Sequence, residues 1–302
     1  MQSITSYSSK IRLSARGLRM ACALSGLGAS LALFSPDTAV AQGQPPLKCG
    51  IDGTFAPHAM VKLDGTLEGF QVDLFKEMAK RMERELVIET GEHSGLIPAL
   101  LAKRYDFLCG PITVTTERSK NLLFTEPYLW SEWRFIIKSD AKLSSEDDLK
   151  GKAIAVERGT PNEKWLKDNS ERLNLKVLSF SGQSDSVQAV IQGRAFAYTN
   201  GSSEGTLQYV ASRAPGIKVA DWIVPNTRSS WAAPLRKDSA ELRNQIEDTL
   251  ACMKKDGALA KISEKWFGKP PSENAAQVNV YPGYGTEGFE GYDPTTQTPK
   301  CN

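Results

Sequence analysis

Three features of this sequence predict an α/β fold. The first is a set of short apolar runs of strand length, at residues 47–51, 86–89, 135–137 and 153–156. The second is that apolar residues between such runs recur every three or four positions, as a helix buried on one face requires. The third is the stretch 106–118, which leaves a buried strand at Gly110-Pro111, offers a row of hydroxyls and enters a helix carrying Arg118. A strand end followed by a polar turn and a helix start is where open α/β sheets bind ligands. The hydroxyl of Thr113 can donate to an anion without filling the space, and Arg118 can grip a carboxylate through two parallel hydrogen bonds. An ordinary strand-to-helix turn with a surface arginine would give the same local pattern.

Residues 1–41 read as an export signal. Lys10, Arg12, Arg16 and Arg19 precede an apolar stretch at 20–34, and Ala39-Val40-Ala41 fits the small-x-small cleavage rule, with Gln42 as the mature start. There is no adjacent arginine pair and no lipoprotein cleavage box around Cys22, so a cleaved leader into the periplasm is expected. No later apolar run is long enough to cross a bilayer. Four cysteines then remain, Cys49, Cys109, Cys252 and Cys301, an even number that suggests disulfides in an exported chain. The formal charge of +2 includes the basic leader, so the mature protein is near neutral or slightly acidic. No basic tract or basic-aromatic stripe argues for nucleic acid. With only His58 and His93, no Cys/His cluster and no glycine-rich phosphate loop, neither a metal nor a cofactor is expected.

After residues 106–118 comes Phe124-Thr125-Glu126-Pro127-Tyr128. Together they resemble the signature of the family 3 extracellular solute-binding proteins, the polar-amino-acid receptors of ABC transporters: Asp, a few apolar residues, Ser/Gly, an apolar residue, Thr-x-Thr-x-Glu-Arg, then Phe-Ser/Thr-x-Pro-Tyr. The resemblance covers roughly residues 47–268. It implies a two-lobed periplasmic-binding-protein-like fold of type II, with a ligand cleft between lobes joined by a two-segment hinge. Lobe I would comprise 47–130 plus 233–270 and lobe II 131–232, with 271–302 an irregular tail packed on lobe I.

In chain order, 47–51 is the first strand, and Asp52-Gly53-Thr54-Phe55-Ala56-Pro57 breaks it. The family has Asp-x-x-aromatic-x-Pro here, which implies that Phe55 lines the pocket with Asp52 nearby. Phe55 as a core aromatic is the plain alternative. Asp64-Gly65 is a turn, and Phe70, Phe75, Leu74, Met78 and Met82 form a core stripe. Residues 93–100, His-Ser-Gly-Leu-Ile-Pro-Ala-Leu, match a family segment in which His93 replaces an aromatic that stacks on the ligand. An exposed loop histidine is the alternative. Cys49 and Cys109 fall on strands expected to be parallel neighbours, which favours Cys49–Cys109 and Cys252–Cys301 over buried free thiols. The family also implies that carbonyls at Gly110 and Pro111 accept from an ammonium group.

The chain crosses to the second lobe near 131–134. Gly159-Thr160-Pro161-Asn162-Glu163 is a helix start, with Thr160 as N-cap, Pro161 at the first helical position and Glu163 completing a capping box. Such an end suits an anion, although capping alone needs no ligand. Pro161 stands where the family often has a donating Thr. Phe196 replaces an Asp after Gly193-Arg194, and Asn200 lies where a second Asp often holds the ligand's ammonium. Asn200 or Glu204 could compensate. The expected ligand is therefore a small carboxylate, and not a standard amino acid held by a complete ammonium cage. Leu242, Ile246, Leu250 and Met253 form a later helical stripe, and Lys261-Ile262-Ser263-Glu264-Lys265-Trp266-Phe267-Gly268 matches the family's closing signature.

The leading functional expectation is a monomeric receptor that captures a small carboxylate-bearing solute by hinge closure and presents it to the membrane permease of an ABC importer. A cyclohexadienyl dehydratase shares the fold, so an enzyme using Asp52, Glu92, His93 or Glu204 for acid-base chemistry is a second class, although no nucleophile is paired with a base. An accessory or sensor protein reusing the fold is a third.

Overall fold

The structure is a computed structural model that describes residues 44–297 apart from 203, and residues 299 and 301. The expected leader, 1–41, lies outside the described residues, as does the side chain of Glu204. The chain begins β1 (Leu47–Ile51), β2 (Met60–Val61), β3 (Leu67–Glu68), α1 (Phe70–Arg81), β4 (Leu86–Thr90), α2 (His93–Leu101), β5 (Phe107–Leu108), β6 (Ile112–Thr113), α3 (Thr116–Ser119), β7 (Leu122–Phe124) and β8 (Leu129–Lys138). It continues with β9 (Ala153–Glu157), α4 (Pro161–Asp168), β10 (Lys176–Phe180), α5 (Gln183–Ile191), β11 (Ala197–Ser202), α6 (Glu204–Arg213) and β12 (Ile217–Val219). The return comprises β13 (Ser229–Ala232), β14 (Pro234–Arg236), α7 (Ala240–Lys255) and α8 (Ala258–Phe267).

Two main sheets form the cores of the two lobes, and β2 and β3 pair as a separate antiparallel ribbon. The first has the order β4-β1-β5-β14-β7, so a strand from the return of the chain, β14, is inserted between β5 and β7. The second runs β10-β9-β11-β8-β13-β6, with β12 beside β8. Strands β1 and β5 are parallel neighbours, and the Asp106 carboxylate accepts from the Lys48 N–H at 2.8 Å to hold β5 in place. The stripe read on α1 is buried as expected: Phe70, Leu74, Phe75 and Met78 pack with Ile246, Leu250 and Met253 of α7 in one apolar core. Disulfides join Cys49 to Cys109 and Cys252 to Cys301.

The hinge is a pair of antiparallel strands. Ser131 faces Ser229 and Leu129 faces Trp231 where β8 and β13 pair, and the two serine hydroxyls lie 2.9 Å apart. The tail beyond α8 has no helix or strand among its described residues, apart from the bridge Tyr284–Asp293. Its irregular backbone is satisfied by buried charges on the first lobe. Glu126 accepts from the Tyr281 N–H at 3.0 Å and pairs with Lys254 at 3.0 Å. Glu247 accepts from the Gly285 N–H at 2.8 and 3.0 Å, and Arg243 donates to the Gly291 carbonyl at 2.9 Å. A loop with so few ladder bonds stays packed only when its polar groups find such partners.

Candidate functional site

Where the two lobes meet, Phe55, His93, Pro111, Thr113, Arg118, Glu157, Thr160, Pro161, Asn162, Asn200 and Trp231 close around a cavity of about 10 Å³. That is room for about one water molecule. Several bonds cross the seam. Arg118 Nη1 donates to the Thr113 carbonyl at 2.8 Å on its own lobe, and Nη2 to the Gly159 carbonyl at 2.9 Å on the other. Gln183 Nε2 donates to the Ala56 carbonyl at 3.1 Å, and His58 Nε2 is 2.8 Å from Thr206 Oγ1. Gly182 is required at this contact, because a Cβ there would sit 2.8 Å from Thr54 Oγ1 and 3.2 Å from Asp52 Oδ2.

Of the residues singled out in the sequence, Phe55, His93, Pro111, Thr113, Arg118, Thr160 and Asn200 are brought together here. Phe55 borders the cavity and belongs to the core, where it is 6 % exposed and stacks on His58 at 4.9 Å. His93 opens α2 rather than a loop, and burial and the neighbouring Arg118 charge push it down to about 4, so it is neutral above that pH. Thr113 Oγ1 accepts from Trp231 Nε1 at 3.0 Å, which leaves its own hydrogen to donate.

Four expectations need correction. Gly110 is buried behind the wall, its carbonyl turned to the Tyr128 hydroxyl at 3.4 Å, so of this pair only Pro111 lines the cavity. Asp52 faces an adjoining interlobe cavity with Gly182 and Glu92. There Oδ1 accepts from Thr54, the buried Oδ2 makes no close hydrogen bond among the described residues, and burial raises the carboxyl against the Thr54 bonds and the nearby His93 N–H. Thr160 is spent on capping: its hydroxyl accepts from the Glu163 N–H at 3.2 Å and donates to the Glu157 carbonyl at 2.7 Å. The expected capping box is also displaced, because Glu163 accepts from the Gly159 N–H at 2.8 Å, one residue before the cap.

Besides His93, the ionisable groups facing this cavity are Arg118 and Glu157. Burial lowers the Arg118 guanidinium to about 10, and among the described residues no carboxylate forms an ion pair with it. Glu157 is 3 % exposed at the end of β9 and accepts from Tyr198 and, at 3.0 Å, from Asn200 Nδ2. Burial pushes its carboxyl up to about 8, opposed by the Tyr198 hydroxyl and reinforced by Asp52. Reading the sequence missed Glu157. Its signal was an acid closing the apolar run 153–156, a strand end of the kind that places ligand-binding groups. Trp231 and Asn162 were missed as well, since each reads as an ordinary core or helix residue.

The sequence profile of the bacterial extracellular solute-binding proteins, family 3, matches residues 47–269. The chain is 30 % identical over 224 residues to the L-cystine-binding protein TcyJ of Escherichia coli (strain K12), covering 74 % of this chain and 82 % of that one. It is 30 % identical to an ancestral arginine-binding protein bound to arginine, with a TM-score of 0.69 over 75 % of this chain and all of the other (100 %). It is 31 % identical to the ancestral amino acid-binding protein AncCDT-1, a precursor of cyclohexadienyl dehydratase, with a TM-score of 0.67 over 74 % of this chain and 95 % of that one.

Proposed function

This chain belongs to the bacterial extracellular solute-binding proteins, family 3, and from that membership we propose that it is the periplasmic receptor of an ABC importer for a small solute bearing both a carboxylate and a cationic nitrogen. One observation carries this reading: Arg118 and Glu157 border one closed space, and neither has a partner of opposite charge among the described residues. A buried charge is costly unless paired: Arg118 lacks a counter-charge, and Glu157 holds its proton until a cation arrives. A ligand carboxylate on Arg118 and the Thr113 hydroxyl, with the ligand's ammonium on Glu157, would pair both. Asn200 then acts by orienting Glu157, to which its amide already donates. Phe55, His93 and Trp231 form the walls, and Asp52 stands ready for a cationic side chain that extends into the adjoining cavity. Amino acids thus return as ligands despite Pro161 and Asn200, through an acid on a different strand.

A cavity of about 10 Å³ admits no such solute, whereas small-molecule sites usually span hundreds of Å³. Entry therefore requires the lobes to part, and the bonds from Arg118 to Gly159 and from Gln183 to Ala56 break as they do. Calorimetry with arginine, histidine, cystine, opines, betaines and dicarboxylates tests the assignment. Tight binding confined to solutes with both charges supports it. Binding of dicarboxylates with no response to any amine would overturn it.

A second reading, an enzyme that dehydrates a carboxylated ring, would use Glu157 beside the Arg118 anchor as the acid that protonates a departing hydroxyl. Product analysis after incubation with prephenate or arogenate decides between the two.

A further inference from the structure

We propose that a cavity behind the hinge is a second binding site, for a small oxyanion such as an organic carboxylate or inorganic phosphate. The cavity has a volume of about 620 Å³ and lies between β8, the end of α8 and the start of the tail. Its charged lining residues are Glu132, Arg134, Arg228 and Lys269. Glu132 is already paired with Arg134 at 3.0 Å, which leaves a net excess of positive charge. Arg228 is held over the Trp130 ring at 4.9 Å rather than on a carboxylate.

The second observation is independent of charge. Ser202 lines the same cavity and is fully buried, yet among the described residues its hydroxyl has no partner. The buried Nε of Arg134, which can only donate, has none either. Buried polar groups are nearly always satisfied, so a donor pair left without acceptors on a cationic wall calls for an anion. Leu129, Phe267 and Pro270 supply apolar surface on which the carbon frame of an organic acid would rest.

The cavity is walled by both lobes. Ser202 and Gly205 belong to the β11–α6 side and Phe267 to α8, and they meet so closely that a Cβ on Gly205 would lie 3.1 Å from the Phe267 ring. An occupant therefore bridges the lobes at the hinge, and its affinity is linked to that of the cleft ligand. The site does not depend on the reading of the cleft.

The test uses the full mature chain carrying Arg118→Ala, so that the cleft anchor is silent, titrated calorimetrically with inorganic phosphate and, separately, with succinate. Saturable binding at one site per chain is expected, weakened at least tenfold by Arg134→Gln and by Ser202→Ala. The exposed pair Arg228→Gln and Lys269→Gln should weaken it similarly while leaving the melting temperature unchanged, which separates the site from a folding defect. Preference for succinate assigns an organic acid, and preference for phosphate an inorganic ion. Absence of saturable binding for both, or binding that the exposed pair leaves unchanged, overturns the proposal.

Discussion

Replacing Glu157 by glutamine separates its charge from its shape. The amide keeps an oxygen to accept from Tyr198 and Asn200 but cannot ionise. In the wild type, burial holds the carboxyl near 8 against an ordinary 4.5, a difference of roughly 5 kcal/mol between its two protonation states. Because the folded value is raised, this contribution to stability is complete below pH 4.5 and is lost as pH rises through 8. The unliganded wild type should therefore melt lower at pH 8.5 than at pH 5, by up to ~10 °C for a chain of this size if unfolding alone relieves the charge. Parting of the lobes relieves some of it first, so the observed slope will be smaller. Glu157→Gln should flatten that slope. For a cationic ligand the same change should weaken binding by about 2–5 kcal/mol, the cost of losing one partner of a buried charge pair. Scanning calorimetry across pH and titration calorimetry at pH 7 read the two effects. Superimposable melting curves for the two proteins, together with unchanged ligand affinity, would refute the reasoning.

Arg118→Ala should leave the protein folded and abolish carboxylate binding in the cleft, a loss of about 2–5 kcal/mol; unchanged affinity would remove it as the anchor. Gly182→Ala places a Cβ 2.8 Å from Thr54 Oγ1 and should weaken ligand binding several-fold by blocking closure, with little change in the unliganded melting temperature. His58 and His93 are held down to about 3 and about 4 by burial, so the stability of keeping them neutral is present above pH 6.5 and is lost as pH falls through 4 and 3. NMR titration of the closed protein should show both neutral at pH 5, and a midpoint near 6.5 for either would contradict this. Cys301→Ser opens a loop spanning 49 residues and should cost about 4 kcal/mol on the chain-entropy model. Alkylation of the non-reduced native protein, read by mass spectrometry, should label none of Cys49, Cys109, Cys252 and Cys301.

The strands and helices were legible because burial imposes periods of two and 3.6 on the sequence, as the stripe Phe70, Leu74 and Met78 shows. Arg118 and Thr113 were legible because a long motif of fixed order places them at a strand end. Glu157 was not, because an acid ending a strand looks the same whether it meets solvent or shares a cavity with Arg118, 39 residues earlier, and feels Asp52 across the seam. Thr160 was read for its free end, yet the side chain was consumed by its own helix, a local competition that spacing alone does not resolve. The fastening of the tail was invisible for a similar reason. Glu126 sits inside the Phe-Thr-Glu-Pro-Tyr motif, and nothing in that motif says that its carboxylate receives the Tyr281 N–H from far along the chain.

The paired strands β8 and β13 have a mechanical consequence. A two-stranded ribbon bends readily across its thin dimension and resists bending in its own plane, where the ladder bonds between Leu129–Ser131 and Ser229–Trp231 would have to stretch. The lobes therefore swing along one arc, much as a door moves on a long leaf hinge. A solute is judged at the end of that arc by whether the door latches, with Arg118 reaching Gly159 and Gln183 reaching Ala56. Solutes too large for the gap would stall the swing early and leave the latch unmade, so size exclusion in this protein is exercised by the hinge as much as by the residues that touch the ligand.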